Sequence, residues 1–230
     1  MTAQPRLDLA DAGEAADLAA FLGRLLRLDR AAAVRLQAVP GTDGAGVLAV
    51  FGRLPLGTSG VLAVRTARLA GLEHPADATV SAGQLLESVD EAMGAVRVPA
   101  PVTGPAWAGM LPPRSGWQLL AEPPVDAVMP EVLAAVREFK ERTEQVPEHH
   151  RGRQVLDGIA DEIWSRPLGA VAELPLRAAH AAYVIGFLRP GAPLTVHRAG
   201  GWLRLNAPAG SIALRTAAAP GAGLGLSPLR

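Results

Sequence analysis

The chain has 230 residues, 49% of them hydrophobic, with 22 basic side chains against 22 acidic ones and no cysteine. That much apolar material builds one large core or two small ones and excludes an intrinsically disordered chain. Zero net charge excludes the overall basic field on which many nucleic-acid binders rely, so binding of that kind needs a local patch. The absence of cysteine excludes a disulfide framework, a zinc–thiolate site, an iron–sulfur cluster and a cysteine nucleophile.

Residues 1–10 carry Arg6 and Asp8 and run into Asp11, Glu14 and Asp17, without the unbroken apolar stretch of a secretory signal. The longest charge-free apolar stretch with helical spacing, 178–188, contains His180 and falls well short of the roughly 20 residues a membrane span needs. A cytoplasmic protein with no membrane partner is expected. Asp11 with Glu14 three residues on has the form of a capping box. Leu18, Phe21, Leu22, Leu25 and Leu26 then recur at helical spacing opposite Asp17, Arg24 and Arg27, which predicts an amphipathic helix ending near Asp29. Three β-type runs follow at 34–39, 47–54 and 61–69, separated by PGTDGAG and PLGTSG, and read as an antiparallel meander. The middle run is apolar in both alternating phases as far as Arg53, as in a strand covered on both faces, so helices are expected to lie on the sheet. Ser81 with Gln84 opens a second helix bearing Leu85, Leu86, Val89 and Met93.

Residues 99–116 hold Pro99, Pro101, Pro105, Pro112 and Pro113 with Gly104 and Gly109, a density that neither a helix nor a central strand tolerates. Trp107 and Met110 within this stretch predict an ordered linker pinned on a neighbouring core. A strand at 117–121 comes next. A helix over 128–145 follows, with Val132, Val136 and Phe139 inward, Leu133 in support and Pro130 in its first turn. A further helix over 154–165 carries Val155, Leu156, Ile159, Ile163 and Trp164, and Pro167 stops it; a third runs from Pro175 to about Leu188. Leu194 to Arg198, a three-residue turn Ala199-Gly200-Gly201 and Trp202 to Asn206 form a hairpin, with 212–216 as a third strand. The tail, 217–230, is too poor in packing side chains to offset the entropy of ordering it. The six residues from Leu62 echo the six from Ile212, but an alanine-rich chain makes such matches common.

The expected architecture is therefore α+β: a helix-flanked antiparallel meander (1–98), the linker (99–116), and a three-helix unit with a carboxy-terminal hairpin resembling a winged helix (117–216).

Few groups carry chemistry. GRLPLGTS at 52–59 has the glycine spacing of a phosphate-binding loop, but position 58 lacks the lysine and Pro55 removes a backbone donor. GTDGAG at 41–46 is followed by no helix and reads as a hairpin loop. Glu148-His149-His150 with Asp157, Asp161 and Glu162 is the one grouping of metal-type or general-base side chains. His149, His150 and Asp157 are its candidate catalytic residues; His149, His150 and Asp161 are its candidate metal ligands. Arg153 four before Asp157 and Glu162 four before Arg166 favour a solvated helix face instead, and the paired histidines match no recognised ligand spacing. Arg198, Trp202 and Arg204 are expected on one face of the hairpin, where a guanidinium over an indole is a structural contact; in the alternative reading the two arginines could grip a phosphate backbone, with Arg177 on the preceding helix able to donate to bases. His180 on its alanine-rich helix reads as a structural residue, and no Gly-x-Ser-x-Gly elbow is present. The leading expectation is a non-catalytic interaction or regulatory protein with a protein partner or self-association and no cofactor. A winged-helix-like nucleic-acid binder is the alternative, followed by a metal-dependent or acid/base enzyme at His149, His150 and Asp157.

Overall fold

Asp11 accepts a hydrogen bond from the Glu14 amide at 3.0 Å, and helix α1 (Ala12–Leu28) starts from that cap and stops at Asp29, as the spacing predicts. The computed structural model describes residues 5–41, 44–56, 60–72 and 74–216. In the first half, α1 is preceded by β1 (Arg6–Asp8) and followed by β2 (Ala33–Pro40), β3 (Gly46–Leu54), β4 (Val61–Leu69), β5 (Ala76–Ser81), α2 (Ala82–Glu87), β6 (Val89–Asp90) and β7 (Ala95–Arg97). In the second half come β8 (Gln118–Ala121), α3 (Val125–Gln145), α4 (Arg153–Trp164), β9 (Pro167–Leu168), β10 (Val171–Pro175), α5 (Leu176–Val184), β11 (Thr195–Ala199), β12 (Trp202–Ala207) and β13 (Gly210–Arg215). The class is α+β with antiparallel sheets. Among the described residues no helix is long and apolar enough to cross a membrane.

Eight strands form one sheet in the order β5-β2-β3-β4-β13-β12-β11-β8. Its middle is the pairing of β4 with β13, where Val61 faces Leu214, Leu62 faces Ala213, Ala63 faces Ile212 and Val64 faces Ser211. The sequence echo lands on these two strands. The units β1-α1-β2-β3-β4 and β10-α5-β11-β12-β13 repeat the same order of elements on either side of the seam. The two halves therefore share a sheet, and β11 and β12 are interior strands flanked by β13 and β8 rather than a projecting wing.

Helices α1 and α5 lie side by side on one face of the sheet. Phe21 of α1 stacks on Phe187, just beyond α5, at 5.9 Å between centroids, and Arg24 donates to the Ile185 carbonyl at 3.5 Å. Two glycines let the helical layer settle this closely: a Cβ at Gly52 would lie 2.6 Å from Leu25, and one at Gly210, whose φ is 153°, would lie 2.5 Å from the Phe187 ring. Glu14 completes no capping box. Its carboxylate turns to Arg68 (2.9 Å) and Arg65 (3.5 Å) on β4, Arg65 also meets Asp17 at 2.8 Å, and the same guanidinium donates to the Ala209 carbonyl in the β12–β13 turn at 2.9 Å. One nearly buried arginine thus ties α1 to both halves.

Several expectations change. Strand β5 was not anticipated, and α2 ends at Glu87 because the Ser88 hydroxyl donates to the Leu85 and Arg97 carbonyls; Val89 falls in β6, and Met93 is exposed in a turn. Helix α3 begins at Val125, so Pro130 lies in its second turn, and Val128, Val132 and Ala135 are buried while Val136 and Phe139 are partly so. Helix α5 stops at Val184, before Gly186 at φ 75°. The β9–β10 hairpin was likewise unforeseen. The tail 217–230 and parts of both glycine-rich loops, 42–43 and 57–59, lie outside the described residues.

Within the helical layer, Trp164 of α4 is held between Phe139 of α3 (6.3 Å) and the His180 ring of α5, which stacks on it at 3.8 Å and 4°. Burial pushes the His180 pKa down to about 4 from its ordinary 6.5. Between those values the unfolded chain takes up the extra proton. Stability is therefore complete above pH 6.5 and falls as the pH drops toward 4, by about 3 kcal/mol across the window. Urea titrations from pH 7.5 to 4 should show this loss, and His180→Gln should remove that part of the slope. Truncating Phe187 to alanine should cost about 3–5 kcal/mol. Because Phe187 bridges both halves, fluorescence and circular dichroism should still report one coincident transition, at lower urea.

Candidate functional site

Gly52 faces α1, so its neighbours Phe51 and Arg53 point to the opposite, outer face of the sheet. Strand register carries that face across the molecule. One row runs Arg53, Leu62, Ala213, Arg204, His197, Leu119; another runs Arg35, Phe51, Val64, Ser211, Asn206, Thr195. Phe51, Leu62, Val64 and Ala213 are buried although no helix covers them. Their cover is the proline-rich segment 98–117, which crosses the outer face as a strap. It is fixed at the β5 edge by the Val102 amide donating to Thr79 (2.9 Å), on the adjacent strand β2 by Arg35 donating to Ala108 (3.3 Å) and Arg114 donating to Gln37 (3.3 Å), and at the far side by Trp117. Ala108 is buried within it.

The centre and far side of this face hold its cationic and aromatic groups. The Arg204 guanidinium lies 4.0 Å from the Trp117 ring centroid, and the Trp117 indole donates to Pro113 at 2.9 Å, so strap and sheet lock one another. Arg215 sits 5.9 Å over Trp202 and donates to the Met110 sulfur at 3.6 Å. Burial beneath the strap lowers the Arg204 pKa while leaving it a cation, and its Nε is buried without a hydrogen-bond partner among the described residues. Among those residues neither Arg204 nor Arg215 has a carboxylate in ion-pair range. By contrast, Arg35 is forked on Asp77, with Nη2 to Oδ2 at 2.9 Å; that pairing holds the Asp77 carboxyl below its ordinary range, helped by a bond from Gln37. Beside the arginines, Met110 and Leu119 are each about half exposed.

The residues singled out in the sequence are dispersed. Trp202 and Arg204 do share the outer face, but Arg198 does not. The hairpin turn has two residues, Gly200 and Gly201, with Ala199 opposite Trp202 and Arg198 opposite Leu203. A one-residue slip in register reverses the face, and Arg198 approaches Glu173 at 3.9 Å on the helical side. His197, opposite Arg204, faces outward and accepts from Asn206 at 3.2 Å. Arg177 is buried at 7% exposure, with its guanidinium 3.5 Å from Asp161. His149 and His150 stand exposed in a 3-10 turn with their rings 4.1 Å apart, and Asp157 pairs with Arg153 at 3.5 Å. Among the described residues no three His, Cys, Asp or Glu side chains converge to hold a metal.

Sequence reasoning passed over Arg53, Trp117 and Arg215. For Trp117 and Arg215 the usable signal was period-two alternation carried across all strands of one sheet, which needs the strand order first. Arg53 lies at the end of its row in a cleft of about 870 Å³, where β2 begins and β3 ends; Ser81, Trp107, Arg153 and Asp157 also line it. This cleft brings the first turn of α4 to the first half of the chain.

Two family models match the chain: one described as a domain of unknown function (DUF8010) over residues 2–109, the other as a domain of unknown function (DUF8185) over residues 112–219. No curated protein matches. Among solved structures, the crystal structure of a DNA polymerase sliding clamp from Caulobacter crescentus is similar at 12% identity and a TM-score of 0.47. The match covers 87% of this chain and 63% of that one, so this chain spans less than two thirds of the clamp's length.

Proposed function

We propose that the protein is a non-catalytic interaction module that docks an acidic, partly apolar protein segment on the outer face of its sheet, at Trp117–Arg204 and Trp202–Arg215. The observation carrying this reading is that two guanidinium groups are held over indole rings while no carboxylate among the described residues neutralises them. Tryptophan and arginine are the side chains that most often dominate the energy of protein interfaces. A guanidinium already stacked and partly stripped of water loses little freedom on meeting a carboxylate, and the charge-assisted bonds it forms are strong. Half-exposed Met110 and Leu119 supply apolar contact beside these charges. A second copy of this chain is one source of such a segment.

Duplex nucleic acid is the second reading, since phosphates also satisfy arginines. It is less well supported because Arg177 and Arg198, the other two members of the expected basic set, lie away from this face.

Display selection of twelve-residue peptides against the intact chain, followed by fluorescence anisotropy, tests the proposal. Acidic–aliphatic sequences should be enriched, and the double variant Arg204→Ala, Arg215→Ala should bind them at least about tenfold more weakly. Equal binding by that variant would contradict the proposal. So would tight binding of labelled duplex DNA that falls steeply between two salt concentrations. Light scattering of wild type and double variant separates self-association from a foreign partner.

A further inference from the structure

We infer that the cleft at the end of the sheet binds a small molecule in which a phosphate group is joined to a planar ring, as in a nucleoside monophosphate. This site is separate from the docking face and does not depend on it. At about 870 Å³ the cleft is within the range of small-molecule pockets. Its wall at Ala31, Ala32 and Ala33 carries only methyl side chains, and the strap completes the rim at Thr103, Gly104 and Pro105. Gly104 suits that close approach, since a Cβ there would press on Thr79 at 3.1 Å.

The cleft offers an anion two guanidinium groups, Arg53 and Arg153, beside the carboxylates Asp29 and Asp157. Arg53 is exposed and has no carboxylate partner among the described residues. Arg153 is 95% exposed and engages Asp157 through one long contact of 3.5 Å. Two guanidinium forks therefore line one cleft, and phosphate suits the fork geometry of a guanidinium. The other carboxylate present, Asp29, accepts the Ala31 amide at 2.9 Å and keeps its charge, so Arg53 supplies the cation that no carboxylate among the described residues pairs. The hydroxyls of Ser81 and Thr103 add hydrogen-bonding capacity.

Trp107 provides the surface for the ring. It belongs to the 3-10 turn Ala106–Gly109, which is closed by the Ala108 amide on Pro105 and the Met110 amide on Trp107, both at 2.9 Å. The indole is partly exposed on a braced support, and stacking a planar ring on it costs little order.

Calorimetric titration of the full chain with AMP, adenosine, inorganic phosphate and a 5′-phosphorylated oligonucleotide tests the assignment. AMP should bind saturably and raise the melting temperature, with adenosine and phosphate each weaker. Arg53→Gln, at an exposed position, should weaken AMP by about tenfold or more and leave adenosine unchanged, whereas Trp107→Leu should weaken both. No saturable AMP binding at millimolar concentration, AMP binding indifferent to Arg53→Gln in a folded variant, or binding confined to the oligonucleotide would overturn the inference.

Discussion

The pairing of β4 with β13 is the constraint on which the rest of the molecule depends. Four opposed residue pairs, from Val61–Leu214 to Val64–Ser211, convert two four-stranded halves that are distant in sequence into one sheet. Without that seam α1 and α5 would have no common floor, Phe21 would have no Phe187 to stack on, and Arg65 could not reach from the acids of α1 to the Ala209 carbonyl. Such non-local pairings bring together chain segments about 150 residues apart, which favours all-or-none assembly over independent folding of each half.

The continuous sheet also explains the strap. A face that buries Phe51, Leu62, Val64 and Ala213 needs cover, and a helix is not the only element that provides it. The proline-rich segment has few backbone donors to satisfy and enters its extended path with little entropy to lose. The contacts that fix it belong to both halves: Thr79, Arg35 and Gln37 on one side, Arg204 and Arg215 on the other. Its tryptophans have different surroundings, with Trp117 closing over Arg204 and Trp107 standing at the mouth of the cleft. The one segment that joins the halves thus contributes an aromatic to each candidate site.

Much of the fold was legible where local signals agree. Asp11 caps α1, the strands at 33–40, 46–54 and 61–69 follow their alternation, and the carboxy-terminal strands lie where glycine turns place them. Strand β5 was hidden because ADATVS alternates without large apolar residues and only one of its side chains, Val80, is buried. The end of α5 was misplaced although Gly186 marked it. At the candidate face the decisive error was a single residue of turn length: two glycines rather than three residues close the β11–β12 hairpin, and this moved Arg198 away from Trp202. The rows that bring Arg53, Arg204 and Leu119 onto one surface depend on the order of strands, which no window of sequence contains.

Native-state hydrogen exchange at the β4–β13 seam tests the central claim most directly. The hydrogen-bonded amides within 61–64 and 211–214 should exchange only through global unfolding, with the same denaturant dependence as the whole chain and the highest protection in the molecule. Exchange of these amides through a partial opening, while the hydrogen-bonded strands of either half stay protected, would contradict the account and establish the halves as separable units.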